Sequence, residues 1–447
     1  MKLNIIEILN AVSGKIISEG EIKEITKICT DSRVADSQCL FIPIIGERFD
    51  AHDFLEDVIT NKGCKVVLSS KEIDFPFATV ILVEDTKKAM GMLGRYYIDK
   101  LNPKRIAITG SVGKTTTKDM LGSVLSKIAP TLVTSGNFNN DIGVPLTAFR
   151  LEDEKTAVFE MGMNHFGEID YLSKIVKPDI GVITNIGYSH IENLGSREGI
   201  LKAKLEIVNG MDKEGVLVLN GDDSLLYSVK DTVPNKIIYY GVKNKESDIC
   251  PEKIENMGDY TTFSVEGKEY RINVPGEHNV LNALCSIVIG KMLGGSYEEI
   301  KEGLADFRAE GIRQNIIKKD NFTVIADCYN AAPDSMRAAL QVLKEYPGKR
   351  KIVVFGSVLE LGSYRDKLLY KLGEDIADCG IDILITVTED ALAINKGAEA
   401  KGFATVNIEN NEKTLEYLKS IIEDGDVILI KGSRKYKMEE ISEGLIK

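Results

Sequence analysis

Residues Arg105 to Thr117, RIAITGSVGKTTT, constrain this chain more than any other stretch. A β-branched apolar run, Ile106-Ala107-Ile108, stops at Gly110; Gly113 follows, and Lys114-Thr115-Thr116-Thr117 opens an amphipathic segment. The order strand, glycine-rich turn, helix suits phosphate. Glycines let backbone N–H groups face the anion, a helix N-terminus adds positive potential, a lysine ammonium reaches terminal phosphates, and a threonine hydroxyl ligates Mg²⁺. The complete phosphate-loop pattern also asks for glycine where Ile108 stands, so the strict motif fails while its context holds. Nucleotide binding is expected at Gly110, Ser111, Val112, Gly113, Lys114, Thr115 and Thr116.

The chain around this loop reads as alternating strand and helix. Strands are expected at Arg105 to Thr109, Thr156 to Glu160, Asp179 to Asn185, Val216 to Asn220 and Lys236 to Tyr240, each apolar enough to be buried on both faces. Thr261 to Val274, with Glu266-Gly267 as its turn, predicts a hairpin, and His278 to Leu293 and Tyr297 to Phe307 predict helices. A second α/β unit follows, with strands at Phe322 to Ala326, Lys351 to Phe355, Ile383 to Val387, Thr405 to Ile408 and Asp426 to Ile430. Before Leu101-Asn102-Pro103-Lys104, which breaks a helix starting at Thr86, short helices and strands mix. The fold class is therefore α/β, and 447 residues are too many for one core.

Ligands of a parallel sheet gather at the carboxyl ends of its strands. Thr115, Glu160 and His190 fall there and would make a phosphate and Mg²⁺ environment; the bland alternatives are a solvated strand end and a hydrogen-bonded loop histidine. Lys204 is more telling. On a helix from about Arg197 to Asn209 it points into the stripe of Ile200, Leu201, Leu205, Ile207 and Val208. A buried ammonium is costly unless paired, deprotonated or chemically modified, and the competing reading is a lysine that snorkels to water. The amide-rich Asn137, Asn139 and Asn140 could bind phosphate or a polar substrate, or satisfy their own turn. Lys431-Gly432-Ser433-Arg434 follows a strand and could clamp an anion.

A net charge of −12 argues against a nucleic-acid or acidic-membrane partner, and no apolar run approaches a membrane span. The early charge at Glu7 spoils a signal-peptide core, so a cytoplasmic location is expected, without membrane insertion. Seven cysteines without a C-x-x-C pair suggest neither zinc nor a disulfide framework, and they read as small buried hydrophobes.

Taken in order, several motifs make the chain resemble the Mur ligase family along essentially its whole length. They are Thr30-Asp31-Ser32-Arg33, Thr109 to Lys118, Gly136 to Thr147, Glu160-Met161-Gly162 with Gly167-Glu168-Ile169, and Asn185 to Glu192. Ala203 to Ile207, Pro275-Gly276 with His278-Asn279-Val280 and Asn282-Ala283, Tyr329 to Met336, and Lys431 to Arg434 continue the series. Asn330-Ala331-Ala332-Pro333-Asp334-Ser335-Met336 resembles the member that adds D-alanyl-D-alanine to a UDP-linked muramoyl tripeptide.

The resemblance implies three domains: a mixed α/β UDP-substrate domain over 1–102, a central P-loop ATPase with a mostly parallel sheet over 103–309, and a Rossmann-like domain over 310–447. It implies an ATP-dependent amide ligase of peptidoglycan synthesis, acting as a monomer through an acyl-phosphate intermediate. By motif, Lys114 would contact phosphates, Thr115 and Glu160 would hold one Mg²⁺, His190 would help hold a second, and Lys204 would be the family's carbamylated lysine. Asn279, Arg313, Asp327 and Asn330 would face the nucleotide, and Asp31, Ser32 and Arg33 the UDP-substrate. Ser357 and Leu369 stand where the family usually has other residues, which leaves a related ligase with a different amine or acceptor as one alternative. A catalytically silent nucleotide-binding regulator is the other.

Overall fold

The computed structural model describes residues 1–309, 311 and 313–447. Its long helices alternate with sheets that are mostly parallel. One six-stranded sheet runs in the order Lys236–Tyr240, Val216–Asn220, Ile180–Ile183, Lys104–Thr109, Thr156–Glu160, Thr131–Val133. Thr156–Glu160 is buried at every position, as a run of apolar residues covered on both faces requires. The chain groups into two compact units, the first comprising 1–108, 129–181 and 206–215, the second 109–128, 182–205 and 216–447.

In the first unit, a five-stranded sheet has the order Lys15–Ser18, Thr79–Leu82, Val66–Ser69, Cys39–Phe41, Lys27–Cys29, with only the first pair antiparallel. Its core joins Cys39, Phe41, Leu55, Val58, Val67 and Val80. Helix Ile5–Val12 is fixed at its start by a capping box in which Asn4 and Glu7 bond each other's backbone N–H. The expected helix at Thr86 runs to Leu101, where Asn102 ends it in the left-handed conformation.

In the second unit, the C-terminal sheet runs Asn315–Lys318, Phe322–Asp327, Asp426–Lys431, Lys351–Phe355, Ile383–Val387, Thr405–Ile408. All pairs are parallel except the edge strand Asn315–Lys318. Val324, Ile352, Val354, Ile385, Ile428 and Ile430 form its core. The expected hairpin is present as Thr261–Val265 and Lys268–Ile272, with Lys253–Asn256 as a third strand. Helix Glu277–Met292 is buried along most of its length and helix Tyr297–Asp306 starts in a capping box at Ser296. Of the seven cysteines, five are buried as expected, but Cys250 and Cys379 are only half-buried; all are free thiols. No helix of the described residues is long and apolar enough to cross a membrane.

Candidate active site

The phosphate-type loop is held by the segment that follows strand Ile180–Ile183. Asn185 Oδ1 accepts the Val112 N–H at 3.0 Å and its carbonyl accepts the Ser111 N–H at 3.1 Å. Thr184 Oγ1 and Asn185 Nδ2 both donate to the Val112 carbonyl, at 2.6 and 2.9 Å. Ser111 Oγ accepts from the Gly187 N–H at 2.9 Å. Gly110 has φ +152, and a Cβ there would lie 1.8 Å from Thr184 Oγ1, so only glycine fits. Two of the N–H groups expected to face an anion, those of Ser111 and Val112, are thus bonded to Asn185 instead. Thr184 and Asn185 were not legible as loop braces, because the contacts join residues far apart in sequence. Lys114 Nζ donates to the Gly110 carbonyl at 2.8 Å, which folds its head over the loop it was expected to serve. Thr115 and Thr116 are half-exposed in the first turn of helix Lys114–Ile128.

Lys204 lies where the helical spacing places it. The helix runs from Arg197 to Leu205 and tightens into a 3-10 turn over Glu206–Gly210, shorter as an α-helix than expected. Lys204 is 1% exposed, and Ile200 and Ala203 of the same helix are buried with it. It does not snorkel. Among the described residues no hydrogen bond or ion pair reaches its ammonium. Burial, and then the charge of Lys114, hold its pKa well below the ordinary lysine value.

His190 begins the short helix Ile191–Leu194 in a left-handed conformation, φ 62. Its Nδ1 lies 2.5 Å from Glu360 Oε2, and this contact holds the Glu360 carboxyl below its usual range. The ring is therefore engaged by a carboxylate that sequence reasoning did not single out.

Three of the expected nucleotide residues, Asn279, Asp327 and Asn330, belong to one hydrogen-bonded group. Asn279, 1% exposed, donates to the Pro275 carbonyl at 2.8 Å and to Gln314 Oε1 at 2.7 Å. Asp327 Oδ1 accepts the Gln314 N–H at 3.2 Å, and Asp327 Oδ2 lies 2.5 Å from Lys431 Nζ. Lys431 also donates to the Asn330 carbonyl at 3.0 Å. The Arg313 guanidinium stacks 3.6 Å over the Tyr329 ring. Lys431, read as an anion clamp, is buried and neutralised by Asp327, while Arg434 pairs with Glu439 at 2.6 Å.

In the first unit, Glu160 ends strand Thr156–Glu160 opposite Ile108, two residues before Gly110 in the chain. It is 2% exposed; Oε1 accepts from Asn139 Nδ2 at 2.8 Å and Oε2 is buried without a hydrogen-bond partner. A buried carboxylate oxygen left open invites a cation. The bland reading of a solvated strand end is excluded. Asn140 satisfies its own turn, accepting from the Gly143 N–H at 2.8 Å, and Asn137 stays exposed. Asp31 caps the 3-10 turn Ser32–Val34 and pairs with Arg33 at 2.6 Å, which lowers its pKa to about 2. No group of three or more His, Cys, Asp or Glu among the described residues could hold a metal, so a Mg²⁺ ion would have to draw on phosphate oxygens as well.

Residues 108–290 match the Mur ligase middle domain and residues 312–434 match the Mur ligase, glutamate ligase domain. The chain is 39% identical to the UDP-N-acetylmuramoyl-tripeptide--D-alanyl-D-alanine ligase of Bacillus subtilis, over 94% of this chain and 93% of that one. A crystal structure of MurF from Acinetobacter baumannii superposes with a TM-score of 0.93 at 36% identity, covering 100% of this chain and 99% of that one. MurF ligase from Thermotoga maritima in complex with ADP superposes with a TM-score of 0.84 at 25% identity, covering 94% and 96%.

Proposed function

The chain belongs to the Mur ligase family, and we propose that it joins D-alanyl-D-alanine to a UDP-N-acetylmuramoyl tripeptide at the expense of ATP, in peptidoglycan synthesis. The geometric observation that carries the chemistry is Glu160: a buried carboxylate with one open oxygen, at the carboxyl end of the strand beside the one that feeds the phosphate loop. Near full-length similarity to ligases of that name supports the substrate pair.

The terminal phosphoryl group of ATP passes to the C-terminal carboxylate of the tripeptide, giving ADP and an acyl phosphate. The dipeptide amine then attacks the acyl carbon, loses a proton, and expels phosphate to leave an amide. Phosphorylation turns a carboxylate oxygen into a good leaving group, so the protein's part is positioning and charge neutralisation. Lys114 bonds terminal phosphate oxygens, releasing the Gly110 carbonyl it holds here. Asn279, Arg313, Asp327 and Asn330 orient the nucleotide, and Asp31, Ser32 and Arg33 bind the UDP-substrate. Asn139 fixes the Glu160 carboxylate.

The open Glu160 oxygen fits a cation: Thr115 and Glu160 would hold one Mg²⁺ and His190 and Lys204 would help hold a second, and the ions would supply positive charge to the phosphates. Lys204 acts as a carbamate. Burial and the charge of Lys114 lower its pKa and so favour the neutral amine, the form that adds carbon dioxide and releases a proton. The three-domain division at 1–102, 103–309 and 310–447 belongs to this reading, as do monomeric action and a cytoplasmic location. Ser357 and Leu369 do not favour another amine: Leu369 is core, and Ser357 is buried with Oγ bonded to the Asp390 carbonyl. The test is phosphate release from ATP with the UDP-tripeptide, which D-alanyl-D-alanine must stimulate. Stimulation only by some other amine would overturn the assignment.

A further inference from the structure

Gln314 lies outside every motif singled out in the sequence, yet it closes a continuous chain of hydrogen bonds. Thr117, in helix Lys114–Ile128 after the phosphate loop, donates from Oγ1 to Asn282 Oδ1 at 3.0 Å. Asn282 Nδ2 donates to Asn279 Oδ1 at 3.2 Å, and Asn279 Nδ2 to Gln314 Oε1 at 2.7 Å. The Gln314 N–H donates to Asp327 Oδ1, and the other oxygen of Asp327 takes the Lys431 ammonium. Asn282 and Asn279 each accept at the oxygen and donate from the nitrogen of one amide, so that each polarises the next. Gln314 is the link with two functions, its side chain holding Asn279 and its backbone holding Asp327.

Its conformation gives this weight. Gln314 has φ +47, the left-handed region that costs a non-glycine residue free energy. Glycine would relax the backbone there, so the side chain must supply something that glycine cannot. Its Nε2 also donates to the Pro275 carbonyl, at 3.3 Å, the same oxygen that Asn279 bonds. Side chain and backbone together fix Asn279 and Asp327 against each other and against the helix that starts at Lys114.

We propose that Gln314 is a positioning residue of the nucleotide site, setting the orientation of Asn279 and Asp327 toward the helix that follows the phosphate loop. This rests on the reading of those two residues as nucleotide-facing. The expected consequence is that nucleotide affinity depends on the Gln314 side chain while folding does not.

Three variants of the full chain separate the possibilities, with ADP affinity measured by titration calorimetry and stability by thermal unfolding. Gln314→Met keeps the volume and loses the side chain's hydrogen bonds to Asn279, the Pro275 carbonyl and His278; Gln314→Gly also loses them but relieves the backbone; Gln314→Glu keeps the acceptor for Asn279. Met and Gly are expected to weaken ADP about tenfold, the scale of one lost hydrogen bond, with Glu within about threefold of the parent. Gln314→Gly should unfold at the parent temperature or above it. In the ligase assay, Met and Gly should raise KM for ATP and leave KM for the UDP-tripeptide unchanged. Parent-like ADP affinity in Gln314→Gly would overturn the proposal, as would equal losses in all three variants accompanied by lower unfolding temperatures. ADP titration needs neither peptide substrate, so its outcome stands even if the amine proves to be another. Conversely, a ligase that forms the expected product with ADP affinity indifferent to position 314 would retain its function and refute only this role.

Discussion

Asn139 donates its amide N–H to Oε1 of Glu160 at 2.8 Å, while Oε2 of the same carboxylate is buried without a hydrogen-bond partner among the described residues. One oxygen is aimed by the protein and the other is left for a cation. Replacing Asn139 by Ala should therefore lower apparent Mg²⁺ affinity by about 10- to 100-fold, the usual effect of removing a group that orients a metal ligand. The check is the Mg²⁺ dependence of phosphate release. Unchanged dependence in Asn139→Ala would separate Glu160 from the metal.

Lys204→Ala should lower turnover by about 10²- to 10³-fold if the side chain supplies a negative charge at the phosphates. Lys204→Arg should not restore it, because a guanidinium cannot form a carbamate. A small carboxylate such as formate, added at high concentration, should partly rescue Lys204→Ala. Turnover with and without formate decides; full activity in the alanine variant would remove Lys204 from the mechanism.

Gly110→Ala should weaken nucleotide binding by about 5- to 150-fold, because the new methyl group meets Thr184 Oγ1 at 1.8 Å and must push aside the residue that holds the Val112 carbonyl. Loop strain of this kind costs about 1–3 kcal/mol. ADP titration of the variant measures it, and parent-like affinity would show that the loop is not held as described.

The strands of the central and C-terminal sheets were legible in the sequence because their runs are apolar enough to be buried from both sides. Thr156–Glu160, Val216–Asn220, Lys351–Phe355 and Ile383–Val387 have the predicted bounds. Two edge strands were not, although Lys236–Tyr240 and Thr405–Ile408, also at sheet edges, have the predicted bounds. Lys253–Asn256 and Asn315–Lys318 keep two of four residues exposed and pair only with partners folded against them, so periodicity leaves little signal. The same division holds for the site. Lys204 was legible because helical geometry puts it on an apolar stripe. Asn185, Gln314 and Glu360 act through contacts with residues 13 to 170 positions away, which only the folded chain brings together.

Asp50 should make the first unit sensitive to acid. Burial opposes its charge, yet hydrogen bonds from Lys71 and from the N–H and ring of His52 outweigh that and hold its carboxyl well below the usual carboxylate range. The folded pKa lies below the unfolded value of about 4, so this contribution is full above pH 4 and is lost as pH falls through the folded value. Asp50→Asn should cost about 1–2 kcal/mol at neutral pH, discounted for partial exposure, and should flatten the decline in stability below pH 4. Urea unfolding of both proteins from pH 2 to pH 7 measures the difference.

In the proposed reaction ATP activates the tripeptide carboxylate before the amine attacks. The most direct test labels that carboxylate with heavy oxygen and follows one turnover with D-alanyl-D-alanine. One labelled oxygen is expected in the released phosphate and one in the new amide. Phosphate released without label, alongside normal product, would contradict it.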